Sequence, residues 1–385
     1  MSRNIAVVTG TRAEYGILKP LLNRIVESDK LELYLAVTGL HLLSKYGFTI
    51  NEIRNDGFEI GATVEMYDEL RDRDYYGSAL ATAIAGFTDI LVEKRPELLV
   101  VFGDRLEPLA ATLAAATLGM PIAHIHGGDK TDSGHIDECI RHSISRFAHI
   151  HFTATKEHTN RLLKMGEEPQ RIVEVGALGL DSVLDLDVTS HTEGDCQVTA
   201  SFPSDKTIVC IFHPVHLEKE LAGKQMREIL RAIQELKMPT VMIYPNNDAG
   251  SQEIIEAIEK TSEESYVKIF RNLSHQDYIG LLRHAGVLIG NSSSGIIEAP
   301  SLQLPVVNIG TRNVGRLHAD NVLFVDAKKE DIVDSIKTAL YDKEFLTRVK
   351  ECSNPYGNGK ASKKITEVLA DIKIDKKLLQ KQITY

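Results

Sequence analysis

Short apolar runs rich in β-branched residues recur along the chain, and a longer amphipathic stretch follows each of them. In the first half these runs cover residues 5–8, 31–38, 97–103, 121–126, 149–155 and 172–177. Helix-like stretches lie between them, among them 17–28, 78–94 and 107–118. Strands that alternate with helices of this length predict βαβ units and a parallel sheet.

This pattern stops and then starts again. Residues 187–206 are polar and lack sustained periodicity, which indicates an interdomain linker. New apolar runs follow at 207–214, 239–245, 267–270, 286–290, 305–310 and 321–326. We therefore predict an α/β protein of two doubly wound Rossmann-like domains, residues 1–186 and 207–360, that face each other across a cleft. The Lys-rich, helix-prone segment 361–385 is predicted to return to the first domain.

Length and composition agree with this organisation. A chain of 385 residues exceeds the roughly 250–300 at which single cores usually divide. Its net charge of −10 argues against nucleic acid or an anionic membrane surface as the main partner. The four cysteines fit neither a zinc-site spacing nor a disulfide-dense secreted domain. Without a signal peptide or a membrane-length apolar run, the sequence favours a soluble, cytoplasmic protein.

Two loops after first-domain strands carry candidate chemistry. The turn VTGTRAEYG, residues 8–16, leads into a helix, and its Arg12 suits a phosphate group. It matches neither a dinucleotide-binding nor a Walker fingerprint, and an ordinary turn with a surface arginine is the alternative. The loop VFGDRLEP, residues 101–108, offers Asp104 and Arg105. For Asp104, the alternative is a helix N-cap.

The densest segment is HIHGGDKTDSGHIDECIRHS, residues 124–143. His124 and His126 share one face of a strand and Asp129 follows, so a metal site must be considered. The spacing matches no specific metal motif, and the two glycines favour a close backbone approach to a ligand.

The helix that ends this segment carries a carboxylate and an arginine four residues apart, Asp137 and Arg141. This spacing places them on one face. They are either an ion pair or a proton-transfer group beside an active-site arginine.

Polar loops follow four strands of the second half as well. Their candidate residues are His213, Asn246, Asp248, Ser292, Ser293, Glu298, Arg312 and Arg316. The loop GNSSSGIIE, residues 290–298, with the helix after it predicts a seat for a nucleotide diphosphate, because backbone N–H groups and the helix dipole would face the anion. Glu298 is suited to accept hydrogen bonds from two ribose hydroxyls.

The chain resembles the UDP-N-acetylglucosamine 2-epimerases, and within them the hydrolysing branch of the sialic-acid pathway. The resemblance covers nearly the whole chain and rests on the order and spacing of TGTRAEYG, GDR, HIHGGD…IDECIRHS, HPV, PNNDAGS, GNSSSGIIE and GTRNVGR. It implies a two-domain glycosyltransferase-B architecture, a nucleotide-sugar substrate and a homo-oligomer, dimeric or tetrameric. It implies no metal and no redox cofactor.

The resemblance also implies roles for individual residues. The implied catalytic set is Asp104 and Asp137 as acid/base carboxylates, with His213 at the sugar and phosphate and His126 as a further candidate. The implied nucleotide contacts are Arg12, Ser292, Ser293, Glu298 and Arg312. The implied supporting residues around the sugar are Arg105, Arg141, Asn246 and Asp248.

The implied reaction begins when the C1–O bond of UDP-N-acetylglucosamine breaks and a base removes the C2 proton, which leaves an acetamido glycal. Water then adds to C1 and a proton returns to the opposite face of C2, giving N-acetylmannosamine and UDP. One departure is His126, which stands where sialic-acid-pathway members carry a catalytic glutamate in HIEGGE. Either His126 serves as the base or the role falls on Asp104, Asp129 and Asp137.

Other functions stay open at this point. The altered His126 loop makes a UDP- or GDP-linked 2,4-diacetamido-2,4,6-trideoxy sugar an alternative substrate, as in the legionaminic-acid pathway. A non-hydrolysing epimerase would not release UDP, and a glycosyltransferase would need an acceptor. A metal-dependent hydrolase built on His124, His126 and Asp129 would lose activity with a chelator. A nucleotide-sugar sensor would bind without turnover.

Overall fold

The computed structural model describes residues 2–68, 76–131, 136–185, 206–245 and 248–385. Two compact units are present: the first comprises Met1–Asp129, Ile136–Ser182 and Gly359–Tyr385, and the second is mainly Val183–Asn358. The predicted linker, 187–206, lies outside the described residues apart from Lys206, and so does Asn246.

The first unit contains a seven-stranded parallel sheet within its described residues, in the order β3-β2-β1-β4-β5-β6-β7. Its strands are β1 (Arg3–Thr9), β2 (Leu31–Thr38), β3 (Ile60–Val64), β4 (Leu98–Phe102), β5 (Ile122–Ile125), β6 (Ile150–Thr153) and β7 (Ile172–Glu174). Its helices up to residue 185 are α1 (Arg12–Val26), α2 (Ile50–Asn55), α3 (Tyr76–Lys94), α4 (Leu106–Thr117), α5 (Ile136–Phe147), α6 (Lys156–Lys164) and α7 (Gly179–Asp185), the last of which crosses the boundary between the units.

The described part of the second unit holds a six-stranded parallel sheet in the order β10-β9-β8-β11-β12-β13. Its strands are β8 (Ile208–Ile211), β9 (Thr240–Ile243), β10 (Val267–Phe270), β11 (Val287–Gly290), β12 (Val306–Ile309) and β13 (Val322–Val325). Its helices are α8 (Ala222–Leu236), α9 (Ser251–Glu259), α10 (His275–His284), α11 (Ser294–Ile297), α12 (Lys329–Tyr341) and α13 (Lys343–Glu351).

Both sheets are buried on their two faces. In the first unit Ile5 and Val7 point into a core shared with α1, while Ala6 and Val8 point into a second core lined by α3 and α4. Strands covered on both sides read as continuous apolar runs, which is why these segments are recognisable in the sequence. No helix of the described residues combines the length and apolarity that a membrane crossing requires.

The C-terminal segment packs within the first unit. It forms α14 (Ala361–Asp371) and α15 (Lys376–Leu379), and α14 lies against α1. The buried Asp181 carboxylate accepts the first N–H groups of α14, from Ala361 at 2.9 Å and Ser362 at 2.6 Å. These bonds satisfy amide groups that a helix N-terminus otherwise leaves without partners.

The sheet orders determine where ligands bind in such folds. Strand order reverses between β1 and β4 in the first unit, and between β8 and β11 in the second. Open α/β sheets bind ligands beyond the carboxyl ends of the strands at such a reversal. The loops after these four strands are therefore the places to look for function.

Candidate active site

The loop after β1 leads directly into α1. Thr11 is the N-cap, and its hydroxyl accepts the N–H of Glu14 at 3.3 Å. Arg12 is the first helical residue, and its Nε donates to Oε2 of Glu52 on α2 at 2.9 Å. The predicted phosphate ligand is thus at the switch point of its sheet, with one edge of its guanidinium held by a carboxylate.

A buried carboxylate, Glu107, lies beneath this loop. Its side chain is fully buried, and a Cβ on Gly10 would come within 2.6 Å of its Cγ. The Tyr67 hydroxyl donates to Oε1 at 3.1 Å and the Arg105 Nε to Oε2 at 3.3 Å. Burial, with the negative charge of Glu107 nearby, raises the pKa of Glu14 well above its usual range. Glu107 was not among the predicted site residues, although it belongs to the loop VFGDRLEP.

Asp104, after β4, forms an ion pair with Arg141 of α5. The Arg141 Nε donates to Oδ2 at 3.0 Å, and Nη2 donates to the same oxygen. Nη1 donates to the Asp129 carbonyl at 3.2 Å and to the Glu138 carboxylate. The N-cap of α4 is Arg105, and it makes no side-chain capping bond. Asp104 therefore faces α5, and the N-cap alternative for it is wrong. Asp137 lies half-buried in the first turn of α5.

The side chain of His124 links the loop after β4 to helix α5. It is fully buried, with Nε2 2.8 Å from the Gly103 carbonyl and Nδ1 3.0 Å from the Ser145 hydroxyl. A carbonyl only accepts, so Nε2 carries the proton and Ser145 donates to Nδ1. Burial lowers the pKa of His124 to about 3, which keeps it neutral. Among the residues that the structure describes, no three His, Cys, Asp or Glu side chains are arranged to hold a metal ion.

His126 follows β5 with the left-handed backbone angle φ 70°. Its Nε2 lies 3.4 Å from Oδ2 of Asp129, whose other oxygen lies 3.2 Å from Nε2 of His158 on α6. A Cβ on Gly127 would come within 2.8 Å of the Ser145 hydroxyl, and one on Gly128 within 2.5 Å of the His158 carbonyl. The close approach that these glycines allow is therefore to α5 and α6.

In the second unit, the carboxyl ends of β8 and β11 touch. Gly290 has φ 118°, and a Cβ there would lie 1.9 Å from the Ile211 carbonyl oxygen. The next residue, Asn291, fixes His213 through both halves of its carboxamide: Oδ1 accepts the His213 N–H at 2.7 Å, and Nδ2 donates to the His213 carbonyl at 2.8 Å. These contacts explain the glycine and the asparagine that precede the serines.

The Asn291 carbonyl holds the next loop in turn. It accepts Nη1 of Arg312 and Nδ2 of Asn313, each at 3.0 Å. Asn313 also donates to Oδ1 of Asn308 at 2.9 Å, and all three asparagines are nearly fully buried. The guanidinium of Arg312 is thereby fixed beside the serine loop. Asn291 and Asn313 were absent from our predicted site, although both stand inside the quoted motifs.

The serine loop itself is held by hydroxyl contacts. The hydroxyls of Ser292 and Ser294 lie 2.8 Å apart, and Tyr278 of α10 contacts Ser294. Ser293 precedes α11, which is a single turn of four residues followed by a 3₁₀ turn. The helix expected after the serine loop is present, but it is only one turn long. Any anion here would be held by N–H groups, hydroxyls and the neighbouring arginine.

Two of the predicted site residues in this unit, His213 and Glu298, have shifted pKa values. Burial lowers the pKa of His213 to about 3, and the Arg312 guanidinium acts in the same direction, whereas Asp248 opposes it. Burial raises the pKa of Glu298 to about 7, with Arg316 opposing that shift. His213 is therefore a neutral imidazole at physiological pH, and Glu298 is close to half-ionised.

Comparison with known proteins decides the family. The sequence model of the family described as UDP-N-acetylglucosamine 2-epimerase matches residues 23–370. The chain belongs to this family. The fold class predicted from the sequence is confirmed: epimerases of this family have the glycosyltransferase-B type of fold, and both units here are parallel-sheet α/β domains.

Among similar members of the family is the UDP-N,N′-diacetylbacillosamine 2-epimerase (hydrolyzing) of Legionella pneumophila, 36% identical over the full length of both chains. The UDP-N-acetylglucosamine 2-epimerase of Neisseria meningitidis serogroup B is 32% identical over 88% of this chain and 87% of its own. The crystal structure of a Neisseria meningitidis UDP-GlcNAc 2-epimerase bound to UDP-GlcNAc superposes with a TM-score of 0.83 at 20% identity, covering 95% and 99% of the two chains.

In this member of the family the predicted site residues form two groups. In the first unit Asp104, Arg141 and His126 converge around Asp129, whereas Arg12 pairs with Glu52. In the second unit His213, Arg312 and Ser292 converge around Asn291 and Asn313. Asp129, at the centre of the first group, was considered from the sequence as a metal ligand or an alternative base, whereas the two asparagines at the centre of the second group were not predicted.

Proposed function

We propose that this protein is a hydrolysing nucleotide-sugar 2-epimerase. It would convert a UDP-linked 2-acetamido sugar and water into UDP and the free sugar that is inverted at C2. The observation that carries the proposal is the 36% identity over the full length of a relative whose name states the hydrolysing reaction. A second relative named as hydrolysing, from Campylobacter jejuni, is 32% identical over 89% of the chain.

The acid–base chemistry falls to the first unit in this proposal. The reaction removes a proton from one face of C2 and returns one to the other face, so it needs two proton-transfer groups. Asp104 and Asp137 are proposed for this work, together with His126. Arg141 orients Asp104 through its paired hydrogen bonds. Arg105 supports the same loop through its contact with Glu107.

The nucleotide contacts are proposed to come from the second unit, and Arg12 of the first unit is proposed as a further cation. Ser292, Ser293 and Arg312 are proposed to bind the diphosphate and to stabilise the charge that develops as UDP leaves. Glu298 is proposed for the ribose hydroxyls. His213, neutral at physiological pH, would donate to or accept from the sugar or phosphate. Asp248, which lies near His213, is proposed as a supporting group.

The relatives' names favour N,N′-diacetylbacillosamine as the preferred sugar. The protein of Legionella pneumophila that is named for it matches this chain at 36% identity over its whole length. N-acetylglucosamine is the second candidate, supported by the Neisseria meningitidis relative at 32%. The proposed assay measures nucleotide release from the UDP- and GDP-linked diacetamido sugar and from UDP-N-acetylglucosamine, with and without a chelator.

The outcomes of this assay separate the candidate functions. Stoichiometric UDP release without an acceptor, unaffected by the chelator, supports the proposal and identifies the sugar. Conversion to an epimeric nucleotide sugar without release of UDP would replace it with the non-hydrolysing reaction. Release only in the presence of an acceptor would indicate a glycosyltransferase. Binding without turnover would indicate a sensor.

A further inference from the structure

A buried carboxylate lies between two histidines at the carboxyl end of β5. One oxygen of Asp129 is 3.4 Å from Nε2 of His126, and the other is 3.2 Å from Nε2 of His158. The exposed fraction of the side chain is 14% for His126, 6% for Asp129 and 3% for His158. The three side chains thus run inward from the partly accessible His126 to the buried His158.

The backbone around this trio is built for close contact. His126 adopts φ 70°, a left-handed conformation that is unfavourable for a residue with a side chain. Gly128 has φ 80° and no room for a Cβ, because the His158 carbonyl would lie 2.5 Å from it. Backbone strain of this kind is concentrated at functional sites. The strained turn at His126 and the close approach at Gly128 keep the loop that bears Asp129 against α6.

Two arginines, on helices α5 and α6, lie close to His126, Asp129 and His158. Nη1 of Arg141, on α5, donates to the Asp129 carbonyl at 3.2 Å. Nη1 of Arg161, on α6, donates to the Gly128 carbonyl. Burial lowers the pKa of His158, although its hydrogen bond to Asp129 opposes that shift. A neutral His158 donates one N–H to the Asp129 carboxylate, and the two arginines hold the backbone carbonyls of Gly128 and Asp129.

We propose that His126 is the general base of the reaction and that Asp129, held by His158, is the positioning residue that selects its tautomer. A carboxylate only accepts, so Asp129 favours the His126 form with the proton on Nε2 and leaves the Nδ1 lone pair as the base. This inference rests on the proposed function, because it assigns the base of that reaction.

The step balances as follows. Nδ1 of His126 takes the proton from C2, and the C2–H electron pair forms the C1–C2 double bond. The C1–O bond breaks, and its electron pair leaves with the β-phosphate oxygen of UDP. The products are the acetamido glycal, UDP and a protonated His126, whose positive charge the Asp129 carboxylate stabilises.

A double-mutant cycle tests whether Asp129 acts through the imidazole. The variants are Asp129→Asn, His126→Glu and the two combined, with kcat and KM measured on the substrate that the wild type turns over. We expect Asp129→Asn to lower kcat on the order of 100-fold with little change in KM. In the His126→Glu background a carboxylate base has no tautomer to select, so the same change should cost less than about threefold. Equal losses in both backgrounds would overturn the proposal.

A direct reading of the tautomer does not depend on turnover. Long-range ¹H–¹⁵N correlation spectra of histidine-labelled protein, assigned with His126→Gln, report which ring nitrogen of His126 is protonated. We expect the Nε2–H form in the wild type and the appearance of the Nδ1–H form in Asp129→Asn. An unchanged tautomer, or the Nδ1–H form in the wild type, would contradict the proposal even if His126→Glu is inactive.

His158 offers a conservative comparison. Gln at 158 keeps an N–H donor near the position of Nε2, whereas Leu removes it. We expect His158→Gln to retain most of kcat and His158→Leu to lose it, while the exposed neighbour Glu157→Gln on the same helix serves as the control. Equal activity of the Gln and Leu variants would remove His158 from the trio. If the wild type releases UDP from none of the three nucleotide sugars, the proposed function fails, and the tautomer spectra still report on Asp129.

Discussion

The carboxamide of Asn291 binds the backbone of His213 on both sides, with its oxygen 2.7 Å from the His213 nitrogen and its nitrogen 2.8 Å from the His213 carbonyl. The two residues follow β11 and β8, the strands between which the order of the second sheet reverses. This pair of hydrogen bonds fixes the geometry of the proposed nucleotide site, because the Asn291 carbonyl also holds Arg312.

Asn291→Ala removes that pair. A buried N–H and a buried C=O would lose their partners, which costs about 1–3 kcal/mol each. We expect UDP affinity to fall at least tenfold in isothermal titration, together with a lower melting temperature. The exposed Asn272→Ala in the same unit should leave both unchanged. Wild-type affinity for UDP in Asn291→Ala would mean that the two hydrogen bonds from Asn291 to the His213 backbone do not shape the nucleotide site.

Asp104→Asn and Asp137→Asn test the proposed acid–base carboxylates. Each keeps the side-chain shape but loses the ability to transfer a proton, so turnover should drop roughly 100- to 10,000-fold. UDP binding should stay within about threefold of the wild type, because the proposed nucleotide contacts lie elsewhere. Loss of UDP binding in either variant would make the carboxylate structural.

Glu298 predicts a pH dependence of nucleotide binding. The pKa of Glu298 is raised to about 7 in the folded protein. Its carboxyl group therefore keeps its proton up to a higher pH in the folded protein without ligand than in the unfolded chain. The contribution of Glu298 to the free energy of unfolding is therefore fully present below the pKa of this group in the unfolded chain, and it is lost as the pH rises through 7. A carboxylate that accepts ribose hydroxyls must be ionised. UDP affinity should therefore rise about tenfold from pH 6 to pH 8, with proton release on binding.

The variant Glu298→Gln provides the comparison, because UDP carries titratable phosphates of its own. We expect the pH dependence that remains in Glu298→Gln to be that of the ligand alone. Titrations in two buffers of different ionisation enthalpy count the protons released. An identical pH profile and proton count in both proteins would remove Glu298 from the ribose site.

Three glycine substitutions separate close contact from backbone strain. Gly290→Ala would place a methyl group 1.9 Å from the Ile211 carbonyl, and we expect destabilisation of at least about 3 kcal/mol. Gly310 also has a positive φ, but nothing lies within 4 Å of its Cβ position, so Gly310→Ala should cost about 1–2 kcal/mol. Gly280→Ala, in the open interior of α10, should stabilise by about 0.5–1 kcal/mol. Urea unfolding measures all three, and equal effects would contradict the contact assigned to Gly290.

Much of the fold could be predicted because its strands are buried on both faces. Each of the twelve predicted apolar runs coincides with or overlaps a strand. Among the strands of the described residues, the one that was missed is β3, which lies at the edge of its sheet and carries Gly61 beneath the ring of Tyr34. Its residues alternate in exposure and include a glycine, so its sequence lacks the apolar run that marks the inner strands.

The site could be predicted only where residue type itself suggests chemistry. Asp104, Arg141 and the serine loop were found because charged or hydroxylic residues after apolar strands are conspicuous. Asn291 and Glu107 were missed because their roles depend on partners far away in the chain, the His213 backbone and the Tyr67 hydroxyl. Such long-range contacts leave no local pattern in the sequence.

The proposed reaction exchanges the proton at C2 of the sugar while the nucleotide is released. Proton NMR in D₂O, with the UDP-linked diacetamido sugar and with UDP-N-acetylglucosamine, tests it most directly. We expect a free sugar inverted at C2, one deuterium at C2 and an equal amount of UDP. A released sugar that keeps its C2 proton and configuration would contradict it.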